Sequence, residues 1–159
     1  MLLLVSDANI LIDMEEGGLL ASMFSLDCRF IVPDILFAEE LEDFHAHFLE
    51  LGLEQKSLNS EAMIAAMQLT QTHTRTSRND LFALSLAKQE KCALLTGDKH
   101  LKEAAEKENV LVHGTIWLVE ELVLAGKISA HVAKSAYEQM EKSGRRLPWK
   151  VAKDRLKKL

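Results

Sequence analysis

Short apolar runs of strand length alternate along the chain with longer segments of helical periodicity. Four clear apolar runs lie at residues 2–5, 29–32, 93–96 and 110–113. A weaker run at residues 53–58 is a candidate edge strand. Strands that alternate with helices are typical of a parallel sheet covered by helices on both faces. The pattern therefore predicts an α/β protein, a three-layer α/β/α sandwich around a central, mainly parallel sheet.

The segments between the apolar runs carry the signals of helices. The predicted helices span residues 34–50, 60–72, 78–90, 99–108, 115–126, 129–143 and 148–158. In the first of them, a period of 100° per residue predicts one apolar stripe made of Phe37, Leu41, Phe44 and Phe48. Thr115 is the expected N-cap of the helix that Gly126 closes.

Length and composition place the chain among ordinary globular domains. Its 159 residues, 48% hydrophobic and 27% charged, suffice for one domain with a sizeable core. The apolar N-terminal run is cut short by Asp7 and lacks a basic lead-in, so it is predicted to be neither a secretory signal nor a membrane span. Cys28 and Cys92 each begin an apolar run, which favours buried thiols in a reducing cytoplasm over a disulfide or metal pair.

The net charge of −5 is unevenly distributed. Residues 142–159 carry eight Lys or Arg and one Asp, a balance of +7, whereas residues 1–141 have a balance of −12. The basic tail can be a solvated amphipathic helix, or it can provide a foothold for phosphates or for an acidic partner.

Acidic residues recur where the predicted strands end or where the following helices begin. Asp7 comes at the end of LLLVS, Asp98 follows ALLTG, Asp80 lies in TSRND, and Glu39 and Glu40 lie in VPDILFAEEL. The carboxyl ends of parallel strands form the edge at which α/β sheets bind ligands. We therefore expect these acids to face one crevice.

Helix capping offers a simpler explanation for each acid alone. Asp7 and Asp98 can cap helices, and Asp80 can close a capping box with Ser77. Capping does not explain why several carboxylates would share one crevice without a basic residue, an arrangement that raises their pKa values and lowers stability. Oxygen ligands of this kind suit Mg²⁺ or Mn²⁺, and such a site suits phosphodiester hydrolysis. Asn9 is expected either to orient a water molecule or ligand or to serve a turn.

In five stretches the sequence resembles the PIN domain family. They are VSDANILID, VPDILFAEEL, TSRNDLFALSLAKQ, LLTGDKHLKEAA and VHGTIWLVEEL, which together cover roughly residues 2–123 in the family's order. The resemblance implies an α/β/α nuclease that uses acids to bind Mg²⁺ or Mn²⁺ and cuts single-stranded RNA. It also implies a nuclease domain at residues 1–126, followed by a helical extension at 127–159 that packs on that domain or projects from it.

Carried over by position, the resemblance implies that Asp7, Asp80 and Asp98 are catalytic metal ligands. The motif glutamate is Glu39 by its distance from Pro33 and Glu40 by helical phase, and the phase argument favours Glu40. Asn9 and Ser77 fall on positions that support such sites. Many relatives are toxins of VapBC toxin–antitoxin pairs, which adds a small antitoxin and a second copy of the chain to RNA as expected partners. The long basic tail weakens the toxin assignment and leaves the nuclease assignment intact.

Two other classes of function compete with a nuclease. The first is a non-catalytic RNA-binding module that keeps the fold, against which the retained acids argue. The second is a phosphatase of the haloacid dehalogenase type, but that chemistry needs a second Asp where Asn9 stands and a later acid where Lys102 stands. A metal shared by His45 and His47 is not expected, since residues two apart on a helix point to different sides.

Overall fold

The computed structural model describes all residues from 1 to 159, and its centre is one all-parallel sheet. The strands are β1 (Leu2–Ser6), β2 (Cys28–Pro33), β3 (Glu54–Lys56), β4 (Ala93–Leu95) and β5 (Val112–His113). They pair in the order β3-β2-β1-β4-β5, and every pair is parallel. The predicted α/β class is confirmed, and each predicted strand overlaps an observed one.

Helices cover the sheet on both faces. They are α1 (Ala8–Glu16), α2 (Leu20–Phe24), α3 (Asp34–Leu36), a π-helical turn (Phe37–Leu41), α4 (Glu42–His45), α5 (His47–Leu51), α6 (Ser60–Thr72), α7 (Arg78–Glu90), α8 (Lys99–Lys107), α9 (Thr115–Leu124), α10 (Ala130–Lys142) and α11 (Trp149–Leu156). Helix α7 packs across β1, β2 and β4 and contacts α6 and α8, whereas α1, α2, α9 and α10 contact one another. None of these helices combines the length and the apolar character that a membrane span requires.

The segment predicted as one helix over 34–50 is helical but not continuous. A π-helical turn at Phe37–Leu41 inserts an extra residue into the helical repeat, and the helix is interrupted at Ala46. The predicted apolar stripe is therefore wrong at Phe44, which is 85% exposed, while Phe37, Leu41 and Phe48 are buried. Both glutamates of this segment, Glu39 and Glu40, lie on the π-helical turn.

Two further expectations about the helices are corrected. Gly114, not Thr115, is the N-cap residue of α9, and the Thr115 hydroxyl instead donates a hydrogen bond to Asp13. Helix α2 has no counterpart among the predicted helices. It is only five residues long, too short to show a clear period.

The C-terminal helices complete the core and do not project from it. Tyr137 and Met140 of α10 and Ala152 and Leu156 of α11 belong to the same apolar cluster as the buried residues of β1. Cys28 and Cys92 are free and half-buried. Deleting the tail would thus expose core surface, so its charges are better tested one at a time.

The strand order places the carboxyl ends of β1 and β4 at a switch point. From β1 the chain moves to β2 and β3 on one side, and it then returns to β4 and β5 on the other side. The loops that leave β1 and β4 diverge in this topology, and the crevice between them is where open α/β sheets bind ligands. Asp7 follows β1 and Asp98 lies just beyond β4, so the topology brings these two acids together.

Candidate functional site

Asp7 is a buried carboxylate at the carboxyl end of the central strand. It caps α1, because one carboxylate oxygen accepts a hydrogen bond of 3.0 Å from the Ile10 amide. Its side chain lies at the switch point and only 1% of the residue is exposed. Burial raises the pKa of Asp7 from its ordinary value of 3.8 to about 7, hydrogen bonds from Thr96 and Ile10 oppose the rise, and the charges of Asp80 and Asp13 add to it.

Thr96 joins the loops that follow β1 and β4. Its hydroxyl donates a hydrogen bond of 2.5 Å to Asp7 and accepts one of 3.0 Å from the Asp98 amide. Asp98 in turn caps α8 by accepting from the Leu101 amide at 2.8 Å through one oxygen. The second oxygen of Asp98 accepts no hydrogen bond. Thr96 was not predicted as a site residue, although a hydroxyl between a buried strand and Asp98 in LLTGD is a visible signal.

Asp80 and Glu40 extend this group of acids. Asp80 lies in the first turn of α7, where the Ser77 hydroxyl accepts a hydrogen bond of 3.1 Å from the Asp80 amide and caps the helix. Burial, together with the neighbouring charges of Asp98 and Glu40, raises the pKa of Asp80 to about 6. Glu40 is thus close enough to Asp80 to disfavour its ionised form, and Glu40 makes no ion pair.

Glu39 is occupied by a different set of contacts. Its carboxylate accepts hydrogen bonds of 2.7 and 3.0 Å from Arg78 and one of 3.1 Å from the Asn79 side chain. The hydrogen bonds from Asn79 and Arg78 lower the pKa of Glu39. The two glutamates that the sequence left open are therefore distinguished by their surroundings: Glu39 is neutralised by Arg78, and Glu40 faces another carboxylate.

The donor set suits a hard divalent cation in chemistry, but the side chains do not converge on one. Nowhere in the chain are three or more Asp, Glu, His or Cys side chains arranged so that they could hold a metal ion. Asp7 and Asp98 each use one carboxylate oxygen to cap a helix. Carboxylate oxygens are nevertheless the ligands that Mg²⁺ and Mn²⁺ prefer, and the pKa values of Asp7 and Asp80 are raised by burial first and by neighbouring carboxylates second.

The guanidinium of Arg145, which lines the same cleft as Asp98, pairs with a different acid. Arg145 donates a hydrogen bond of 2.6 Å to Asp13 and two weaker ones, of 3.2 and 3.1 Å, to the carbonyl and side-chain oxygens of Asn9. Asp13 also accepts 2.7 Å from Thr115. Asn9, predicted to orient water or a ligand, thus has its side-chain oxygen bound to Arg145. Asp13 and Arg145 were not predicted as partners, because they lie 132 positions apart and no local signal pairs them.

The Arg145–Asp13 pair should contribute measurably to stability. The side chains of Arg145 and Asp13 are 24% and 10% exposed, so Arg145→Ala leaves a nearly buried carboxylate with only Thr115 as its partner. We expect a loss of about 2 kcal/mol in the free energy of unfolding, between the values for exposed and fully buried pairs. Denaturant melts measure it, with the exposed neighbour Arg146→Ala as control, which should change stability by less than about 0.5 kcal/mol. Equal midpoints for the two variants would contradict the assignment.

Two histidines meet at one carboxylate on another part of the surface. His45 Nδ1 lies 3.0 Å and His47 Nε2 lies 2.5 Å from the two oxygens of Glu15. The prediction that these rings point to different sides is wrong, because α4 ends at His45 and α5 begins at His47. The three groups are not arranged to hold a metal ion.

Comparison with known proteins gives one match that spans nearly the whole chain. A protein-family model described as a PIN domain matches residues 3–159, and therefore includes the basic tail. No curated protein matches the sequence.

Proposed function

Since this chain belongs to the PIN domain family, we propose that it is a metal-dependent endoribonuclease that hydrolyses phosphodiester bonds of single-stranded RNA. PIN domains are in general nucleases and typically use divalent metals. The preference for RNA and the identity of the metal as Mg²⁺ or Mn²⁺ are our extension of that general property to this chain.

One observation carries the proposal: four carboxylates lie at the ligand-binding edge of the sheet with no cation of the chain to neutralise them. Neither Asp7, Glu40, Asp80 nor Asp98 has a Lys, Arg or His within ion-pair distance, although the chain forms ion pairs at many other acids. Two of the four have pKa values raised to about 7 and about 6. A domain selected for stability alone would gain from replacing such acids.

Asp7, Glu40, Asp80 and Asp98 are the residues that would hold the metal. Bound there, it would activate water and stabilise the charge that develops on a phosphoryl group. The chain's own contribution is to position the carboxylates. The Thr96 hydroxyl links the Asp7 side chain to the Asp98 backbone, and Ser77 caps the first turn of α7, which carries Asp80. Since Asp7 and Asp80 must lose their protons to bind a cation, metal affinity should rise between pH 6 and pH 8.

The proposal is tested by cleavage of a mixed pool of single-stranded RNA with Mg²⁺, with Mn²⁺ and with a chelator. We expect fragments in the presence of either metal and none in the chelator, with full recovery when the metal is restored. Single-stranded DNA of the same sequence and double-stranded RNA serve as comparison substrates and should be cut more slowly. Binding of RNA without cleavage under every condition would instead favour the non-catalytic module, and cleavage undiminished in chelator would exclude the metal mechanism.

A further inference from the structure

The cations of the basic tail divide into two groups by their contacts. Arg145 is paired with Asp13 and Arg155 with Glu120, and Lys153 lies 3.9 Å from Glu141. The remaining five are exposed and make no ion pair or side-chain hydrogen bond: Lys142, Arg146, Lys150, Lys157 and Lys158. Only the second group is free to take up an external anion.

Arg146 lies in a turn that is anchored on both sides. Before it, Gly144 has the left-handed φ of +87°, which glycine adopts without strain, and the Arg145 amide donates a 3.0 Å hydrogen bond to the Met140 carbonyl to close α10. The Arg145 side chain is fastened to Asp13 and Asn9, as described above. After it, Leu147 packs against the apolar core. The turn is thereby fixed, while the Arg146 side chain stays exposed.

The turn forms one wall of a cleft whose opposite wall belongs to the acidic site. The cleft has a volume of about 380 Å³, and its lining includes Asn9, Gly97, Asp98, Arg145 and Arg146. Ligand sites in proteins typically measure about 300–1,000 Å³. Arg146 is the one unpaired tail cation in this lining, so the cleft brings together a free guanidinium and Asp98, whose second carboxylate oxygen accepts no hydrogen bond.

We propose that Arg146 binds a backbone phosphate of the RNA next to the one that is cut, so that the turn of residues 144–147 is the phosphate-binding element of the site. The inference rests on the proposed nuclease function and names how its substrate is held. Residues 1–141 carry a net charge of −12, which repels a polyanion from the acidic edge of the sheet. A planar guanidinium that is not already paired can donate hydrogen bonds to two phosphate oxygens at once and offset that repulsion beside the carboxylates.

Binding of a fluorescein-labelled 12-nucleotide single strand, RNA or DNA, to the full chain tests this inference. The titrations are made in chelator, so that no cleavage is needed, at several salt concentrations. We expect Arg146→Ala to weaken binding about five- to tenfold at low salt and to reduce the salt slope by about 0.7, the contribution of one phosphate contact to a single strand. Arg146→Lys should fall between Ala and the parent protein. Lys150→Ala is the matched control, because Lys150 is an exposed, unpaired tail cation outside the cleft, and its effect should be much smaller.

Each outcome bears on the inference separately from the proposed function. An Arg146→Ala variant with the affinity and salt slope of the parent would overturn the inference even if the parent cuts RNA. Equal losses for Arg146→Ala and Lys150→Ala would overturn it too, since they indicate diffuse charge and not a defined contact. A loss confined to RNA would also overturn it, because DNA has the same phosphates. A loss specific to Arg146 on both strands supports it, even if the parent proves unable to cleave.

Arg145 should act on this binding only through Arg146, as a positioning residue. At a temperature well below its melting point, Arg145→Ala should weaken binding in the parent, because the turn loses its anchor. In the Arg146→Ala background the same change should have little further effect, and this non-additivity is what a double-mutant cycle detects. Additive losses would overturn the positioning role, since they would mean that Arg145 contacts the strand itself or that the fold is generally loosened.

Discussion

Asp80→Asn and Glu40→Gln should each reduce metal-dependent RNA cleavage by at least about 100-fold. Loss of an outer-shell partner of a metal ligand typically costs 10–100-fold, and loss of a ligand itself should cost no less. Both changes preserve the shape of the side chain and remove one negative charge. The effect should appear in single-turnover rates at saturating RNA, so that it is separated from any change in RNA affinity.

Glu39→Gln is the matched control, because the two glutamates are adjacent and lie on the same π-helical turn. Glu39 is already paired with Arg78 and accepts a hydrogen bond from Asn79 at the surface, so this variant should retain cleavage within about threefold and lose little stability. A damaged Glu39→Gln variant beside an active Glu40→Gln variant would reverse the assignment of the metal ligand. If neither variant loses activity, the glutamate of this turn has no part in the chemistry. Thermal melts of all three variants exclude unfolding as the cause.

The fold could be predicted from sequence because its signals are local. Apolar runs mark the strands, and N-cap residues mark where helices begin: Asn59, Ser77, Asp98 and Ser129 each accept the capping hydrogen bond in the structure. The rule that ligands bind at the carboxyl edge of a parallel sheet then directs attention to Asp7 and its neighbours. These steps need only the sequence.

The features that escaped prediction depend on contacts or on a changed phase. The π-helical turn places Phe44 in solvent, and a fixed period of 100° cannot anticipate an inserted residue. The contact of Arg145 with Asp13 depends on how α10 packs against α1, and the sequence of either segment alone does not predict that packing. Helix capping and a further role do not exclude each other at Asp98, since the cap uses one carboxylate oxygen and the other accepts no hydrogen bond, whereas the two oxygens of Asp7 accept from Ile10 and Thr96. The sequence had posed the cap and the further role as alternatives.

In a chelator at pH 8, Asp7→Asn should be more stable than the parent protein by about 2 to 4 kcal/mol. The pKa of Asp7 is raised from 3.8 to about 7, so the folded state holds the proton more tightly than the unfolded state does. Proton binding by Asp7 therefore adds to the free energy of unfolding of the parent, fully below pH 4, and this contribution is lost as the pH rises through 7. It amounts to about 4 kcal/mol, at about 1.4 kcal/mol for each pKa unit. Part of the gain in the variant is offset because Asn has a single side-chain oxygen, whereas the two oxygens of Asp7 accept hydrogen bonds from Ile10 and Thr96.

The difference between the two proteins isolates Asp7 from the other titrating acids. Asp80 also has a raised pKa and contributes a slope of the same sign, but it is present in both proteins. The parent minus the variant should therefore be nearly constant below pH 4, should change between pH 4 and pH 7, and should level off above. Denaturant melts at a series of pH values measure it. A difference that is flat over this range would mean that Asp7 is solvated or paired in solution.

Adding Mg²⁺ or Mn²⁺ at pH 8 should narrow this gap or reverse it. A cation at a hundredfold excess over its Kd stabilises the folded parent by about 3 kcal/mol, and the variant lacks one ligand and gains less. A carboxylate that serves only as a helix cap gives a different result, because Asn caps about as well as Asp and neither responds to metal. Melts of the parent and of Asp7→Asn in chelator measure the cost of the buried charge, and melts of the same two proteins in metal measure how much of that cost the cation removes. If millimolar Mg²⁺ or Mn²⁺ leaves the free energy of unfolding of the parent unchanged at pH 8, the metal site is contradicted, and with it the proposed mechanism.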